Sequence, residues 1–169
     1  TVSYDVQEAE DKDWNEQWEQ EGFEPIVVRG ERSEVRGKME DGRGVIIHDG
    51  RHLPDNISDQ DIAIEIDAKL AFGTGTHETT RMMLSALTDI RLQGCSVLDC
   101  GCGTGILAIA ALKLGAERAV GYDIEEWSAE NARHNAIINR VEERFSVAQG
   151  DASLLGKDIA GTFQVVMAN

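Results

Sequence analysis

An α/β fold with a Rossmann-like, doubly wound, mostly parallel sheet is the class this sequence predicts. Three observations predict it. Short apolar runs alternate with helical patterns from residue 61 to residue 169. A glycine-rich turn, Gly101-Cys-Gly103-Thr-Gly105, separates an apolar run from an apolar helix. Acidic residues, Asp123 and Asp151, close two of the later runs, where open α/β sheets place ligands.

Composition limits what such a fold can be. The 169 residues are 41% hydrophobic, enough for a core, and 28% charged, with no run near the length of a membrane span. Residues 1–24 carry nine acids and one lysine, the reverse of a secretory leader. Three cysteines form no disulfide framework and point to a reducing, cytoplasmic setting. The net charge is −15, which disfavours direct contact with nucleic acid and favours a basic partner. Residues 1–60 hold sixteen acids and seven bases, and this acidic front is predicted to be a linker region, with the main domain over 61–169.

The front is predicted to open with a helix over Asp11–Gln20, Trp14 and Trp18 on one face anchoring it, ended at Phe23-Glu-Pro25. Ile26–Val28 and Val45–Ile47 are strand candidates, the second bounded by Asp-Gly turns. Ile62, Ile64 and Ile66 alternate with the smaller or polar Ala63 and Glu65, as in a strand with one buried face. Thr79–Leu87 is helical by its apolar spacing, and Ser96–Cys100 is a short apolar strand. Ile106–Leu114 is an apolar helix stopped by Gly115. Ala119–Tyr122 is a strand leading to Asp123, and a helix follows from Ser128, a candidate N-cap, to about Asn139. Phe145–Ala148 and Phe163–Ala168 are the third and fourth strands of the parallel set.

The glycine turn carries the most information. A dinucleotide-binding loop needs G-x-G-x-x-G, but counting from Gly101 puts Ile106 at the sixth place and a glycine one residue early, at Gly105. A turn needed only for packing is the remaining alternative. Asp123 lies twenty-two residues after Gly101, and its carboxylate could accept both hydroxyls of a ribose, or could simply be solvated. Asn169 ends the fourth strand with both a donor and an acceptor. Upstream, Phe72-Gly-Thr74-Gly-Thr76-His77-Glu-Thr79-Thr80 is rich in amide and hydroxyl donors ahead of a helix. Such a run can grip a carboxylate, or can cap that helix through Thr79 or Thr80.

Together these two motifs make a specific pattern. Asp99-Cys-Gly-Cys-Gly-Thr-Gly105 resembles the first motif of class I S-adenosylmethionine-dependent methyltransferases. Phe72-Gly-Thr-Gly-Thr-His77 at its distance upstream, with Trp14, Trp18, Phe23, Pro25 and Gly30-Glu-Arg32 at the front, is similar to the ribosomal protein L11 methyltransferases (PrmA type). The likeness covers most of 14–169, although Glu78 stands where that family usually has proline and 33–55 are less typical.

The resemblance implies S-adenosyl-L-methionine as cofactor, held by Thr80, Gly101, Asp123 and Asn169. Phe72, Thr74, Asp99, Gly103 and Asp151 complete the expected cofactor set, Asp151 by contacting the adenine amino group, with a turn formed by Gly150-Asp151 as its alternative role. It implies N-methylation of lysine or amino groups on a basic ribosomal protein. Other class I methyltransferases, acting on release-factor glutamine or RNA, are the alternative, followed by an NAD(P)-linked oxidoreductase or a non-catalytic module. The chain is also expected to be the cofactor-binding core of a longer enzyme, since it reaches only four strands of a sheet with about seven. No residue stands out as a catalytic base.

Other residues are set aside. Cys100 and Cys102 match no zinc spacing and read as small loop residues, so no metal is expected. His48 and His52 read as solvated, His134 has no evident partner, and His77 reads as capping its helix or bracing its loop rather than as a general base.

Overall fold

The structure, a computed structural model, describes residues 22–29, 44–54, 57–67, 77–155 and 162–169. The helix expected over 11–20, with Trp14 and Trp18, lies outside the described residues, as do Gly30-Glu-Arg32, Phe72 and Thr74.

Two sheets form. In the first, β1 (Ile26–Arg29) runs antiparallel to β2 (Gly44–His48), Ile26 facing Ile47 and Arg29 facing Gly44. β3 (Ile62–Glu65) joins β2 in parallel, and Ile66 extends the pairing through its N–H to the His48 carbonyl at 2.8 Å. Every residue of β2 is buried, so its unbroken apolar run is a central strand. Asp61 ties this sheet at one end, accepting the Gly44 N–H at 2.8 Å and the Ser58 N–H at 3.0 Å and pairing with Arg29.

The second sheet is all parallel in the order β6-β5-β4-β7, formed by β4 (Ser96–Cys100), β5 (Arg118–Asp123), β6 (Phe145–Gln149) and β7 (Val165–Ala168). Helix α1 (Glu78–Asp89) precedes β4, α2 (Ile106–Lys113) connects β4 to β5, and α3 (Glu126–Ile138) connects β5 to β6. The chain winds outward from β4 to β6, then returns to the other side of β4 as β7. That reversal between β4 and β7 is a topological switch point, where the turns after neighbouring strands diverge and leave a crevice.

Helix α2 explains how the layers join. Its residues Ile106 to Leu112 are all buried, because the helix is enclosed by β4 and β5, by β3 and by α1. One continuous apolar cluster therefore runs from Val28 and Ile47 through Leu84 and Ile109 to Phe145 and Met167. Each fully buried Ile or Leu in it contributes about 1.5–3 kcal/mol relative to exposure.

Several local expectations change. Helix α3 starts at Glu126 with Glu125 at the cap position, two residues before Ser128, which is buried in the first turn. The reason is Asp123: its Oδ1 accepts the Glu125 N–H at 3.0 Å and turns the chain into the helix early. Strand β7 begins at Val165 rather than Phe163. Gln164 meets β4 partly through its side chain, whose Oε1 accepts the Ser96 N–H at 2.8 Å. His48 is buried at the end of β2, and its Nδ1 accepts the Gly50 N–H at 3.0 Å. Burial lowers its pKa. His134 has a partner, Asp67, at 3.0 Å.

Candidate functional site

Strand-end residues of the second sheet converge at one edge. Backbone bonds fold the glycine turn first. The N–H groups of Gly101 and Cys102 both donate to the Tyr122 carbonyl, at 2.9 and 3.0 Å, and Gly105 N–H donates to the Cys102 carbonyl at 2.7 Å. Gly101, Gly103 and Gly105 all hold positive φ (+69°, +52° and +79°), which side chains other than glycine resist.

The outer glycines differ in what surrounds them. A Cβ on Gly101 would meet nothing within 4 Å, whereas one on Gly105 would lie 2.9 Å from Phe145 and 3.1 Å from Ala132. Gly105 is small so that α3 and β6 can pack on the turn. Among the described residues Gly101 has no packing neighbour that requires its size, and its Cβ position faces open space.

Asp123 ties the turn to β5. Its Oδ2 accepts the Gly103 N–H at 2.8 Å while Oδ1 accepts the Glu125 N–H. Each carboxylate oxygen keeps a second lone pair, so two vicinal hydroxyls could still be bound. The next residue, Ile124, is 68% exposed, an apolar side chain at the rim. Gly150 N–H donates to the Asp123 carbonyl at 2.7 Å, bringing the end of β6 to the same place. Asp151 is exposed there, its Oδ1 accepting the Ser153 N–H at 2.8 Å. The Ser153 hydrogen bonds hold its pKa below the usual carboxylate value.

Asp99 lies beneath the turn. It is 1% exposed, and its Oδ2 accepts the Ala108 N–H at 3.2 Å. That N–H belongs to the first turn of α2, whose own cap residue, Gly105, has no side chain to offer. Burial pushes the Asp99 pKa up to about 7, and the nearby Asp123 charge adds to the rise.

Thr80 and Asn169 meet across the fold. Thr80 is buried in α1, and Asn169 follows β7; Asn169 Nδ2 donates to Thr80 Oγ1 at 3.2 Å. The Asn169 carbonyl oxygen keeps its acceptor capacity. Thr79 and Thr80 do not occupy the cap of α1; that position is His77, whose Nδ1 lies 2.9 Å from Thr79 Oγ1. Cys102 is buried, which pushes its thiol pKa up, and among the described residues no group of His, Cys, Asp and Glu could hold a metal ion. No helix among them is long and apolar enough to cross a membrane.

The sequence reading missed Ile124 and three buried asparagines, Asn131 and Asn135 of α3 and Asn139 at its C-cap. Ile124 was findable as an apolar residue next to a strand-end acid. The asparagines were findable from their spacing of four, which puts polar groups on one helix face.

The family model described as ribosomal protein L11 methyltransferase (PrmA) matches residues 1–169. A ribosomal protein L11 methyltransferase from Bacteroides fragilis is 44% identical over 169 residues, covering 99% of this chain and 54% of that protein. One from Bacteroides thetaiotaomicron is 41% identical with the same coverage. The chain thus spans about half the length of the curated relatives it matches. A crystal structure of ribosomal protein L11 methylase from Lactobacillus delbrueckii subsp. bulgaricus superposes with a TM-score of 0.59 and 29% identity, over 82% of this chain and 64% of that one.

Proposed function

Because the chain belongs to the ribosomal protein L11 methyltransferase (PrmA) family, we propose that it forms the S-adenosylmethionine-binding core of an enzyme that N-methylates lysine or amino groups of ribosomal protein L11. The observation that carries the cofactor assignment is the pairing of Asp123 with the glycine turn. Its carboxylate is already aligned by two backbone N–H groups and keeps lone pairs for a ribose diol, beside the open backbone of Gly101. The residues present therefore fit the cofactor.

S-adenosylmethionine supplies an activated methyl group on a sulfonium. The chain's own work is to bind and to orient. Gly101 lets the backbone approach, and Gly103 is locked in place by Asp123. Ile124 offers an apolar surface to adenine, and Asp151 an acceptor for its amino group. Asp99 positions α2 from below. Asn169, steadied by Thr80, keeps a carbonyl oxygen that can accept from an amine nitrogen. Phe72 and Thr74 complete the set on the sequence pattern alone, with their loop taking the carboxylate end. An incoming lysine must lose its proton first, and holding it in line with the methyl group supplies most of the rate.

The net charge of −15 suits a basic protein partner over a nucleic acid, and the place of action is the cytoplasm. Family membership replaces the oxidoreductase alternative. The test is transfer of labelled methyl groups from S-adenosylmethionine to purified L11 by the full-length protein, followed by mass spectrometry of the product. Label on lysine or α-amino nitrogen is expected. Label confined to glutamine or to RNA, or none with L11 present, would overturn the assignment.

A further inference from the structure

Two asparagines of α3, at positions 131 and 135, and its C-cap residue Asn139 face the same way because four residues make about one helical turn. All three are buried, Asn135 completely, so each carboxamide must find partners inside the protein. They find them on the backbone beyond β3. Ile66 directs its N–H to β2, so its neighbours Glu65 and Asp67 point theirs the other way, toward α3.

Asn139 pairs with Glu65 as a strand would, Oδ1 accepting its N–H at 3.1 Å and Nδ2 donating to its carbonyl at 2.7 Å. Asn131 Nδ2 donates to the Asp67 carbonyl at 2.7 Å. Asn135 Oδ1 accepts the Asp67 N–H at 2.9 Å. Its Nδ2 donates elsewhere, to the Thr104 carbonyl at 3.0 Å, and also lies 3.3 Å from Asn131 Oδ1. Thr104 stands between Gly103 and Gly105, inside the glycine turn, and is fully buried.

The three therefore differ. Asn131 and Asn139 hold the exit of β3, whereas Asn135 holds that exit and the glycine turn at once. We infer that Asn135 is a positioning residue for S-adenosylmethionine, fixing the glycine turn through Thr104 against the backbone of Asp67. The inference rests on the functional reading above. Asn135 lies beneath the turn and acts through the turn's shape. A turn that loses this bond at Thr104 can rotate the Gly101 and Gly103 peptides away from the geometry that Asp123 completes.

The experiment compares Asn135→Ala with Asn139→Ala in the full-length protein. Both remove buried hydrogen bonds and lower the melting temperature. Only Asn135→Ala is expected to weaken S-adenosylmethionine binding, by about tenfold or more, because the cofactor must then restore a turn shape that the free protein no longer holds. Its KM for the cofactor rises while kcat at saturation stays within about twofold, since the reacting groups are untouched. Asn139→Ala keeps its Kd within about twofold. Equal effects on Kd from both, or none from Asn135→Ala, would overturn the inference. Should Asn135→Ala fail to fold, amide hydrogen exchange on the unaltered protein decides. Cofactor binding is then expected to slow exchange at Asp67 more than at Glu65, and equal or absent protection overturns the coupling. If the unaltered protein does not bind S-adenosylmethionine, the functional reading itself falls, and the inference with it. If it binds and Asn135→Ala binds as well, only the inference falls.

Discussion

Gly101 and Gly105 sit four residues apart in one turn, with the same residue type and nearly the same backbone angle, yet they serve opposite ends. At Gly105 the Cβ position is filled by Phe145 and Ala132, and Asp99 reaches up from β4 to cap the helix that begins there. At Gly101 the Cβ position is open among the described residues, and the strands on either side of β4 lead to Asp123 and Asn169. One half of the turn is foundation, and the other is the surface proposed above for the cofactor. The difference teaches that glycines of one motif can answer to different constraints, and packing accounts for only one of these two.

Substituting the packed half should give the largest loss of stability. Gly105→Ala places a methyl group against Phe145 and the backbone of Ala132 in a left-handed conformation. It should cost about 2–5 kcal/mol in urea unfolding, the sum of an unfavourable φ and overpacking. An unaltered midpoint would break the comparison at its first point.

Asp99 tests the foundation by pH. Its folded pKa is raised toward 7, so between about pH 4 and 7 the unfolded chain has released this proton while the native protein keeps it. Rising pH therefore drains native stability through that window, and the effect levels off above it. Asp99→Asn keeps an acceptor for the Ala108 N–H without the titration. Its stability relative to the parent should climb by about 1–3 kcal/mol from pH 4 to 7, measured by denaturation at each pH. Taking the difference from the parent cancels the opposing contribution of His48. A constant difference would mean that Asp99 is not held protonated.

The smallest expected effect lies between the halves. Thr80→Val removes one hydrogen bond to Asn169 and should cost about 1 kcal/mol of stability, read in the melting temperature. Because it frees Asn169 beside the open region, its effect on methyl transfer should exceed its effect on folding.

These contrasts show how far the sequence could be read. Strands and helices of the parallel sheet were legible because apolar runs and stop signals such as Gly115 act locally. The strand-end acid Asp123 was legible because its place in a βαβ unit is set by a few dozen neighbouring residues. The division of labour between Gly101 and Gly105 was not, since it depends on Phe145, forty residues further on. Nor was the role of Asn135, whose partners are backbone atoms of Asp67 and Thr104, far off in sequence and of no particular side-chain type. Ser128 looked like a cap because serine often is one, but Asp123 turned the chain first.

The most direct test of the division within the turn is the affinity of Gly101→Ala for S-adenosylmethionine, measured by calorimetry beside its melting temperature. Among the described residues the added methyl group meets no atom within 4 Å, so folding should lose only about 1–2 kcal/mol from the positive φ. Binding should fall by about tenfold or more, because that methyl group occupies the space in which the cofactor approaches the backbone. A Kd equal to that of the unaltered protein would contradict the assignment of the open half of the turn as the cofactor site.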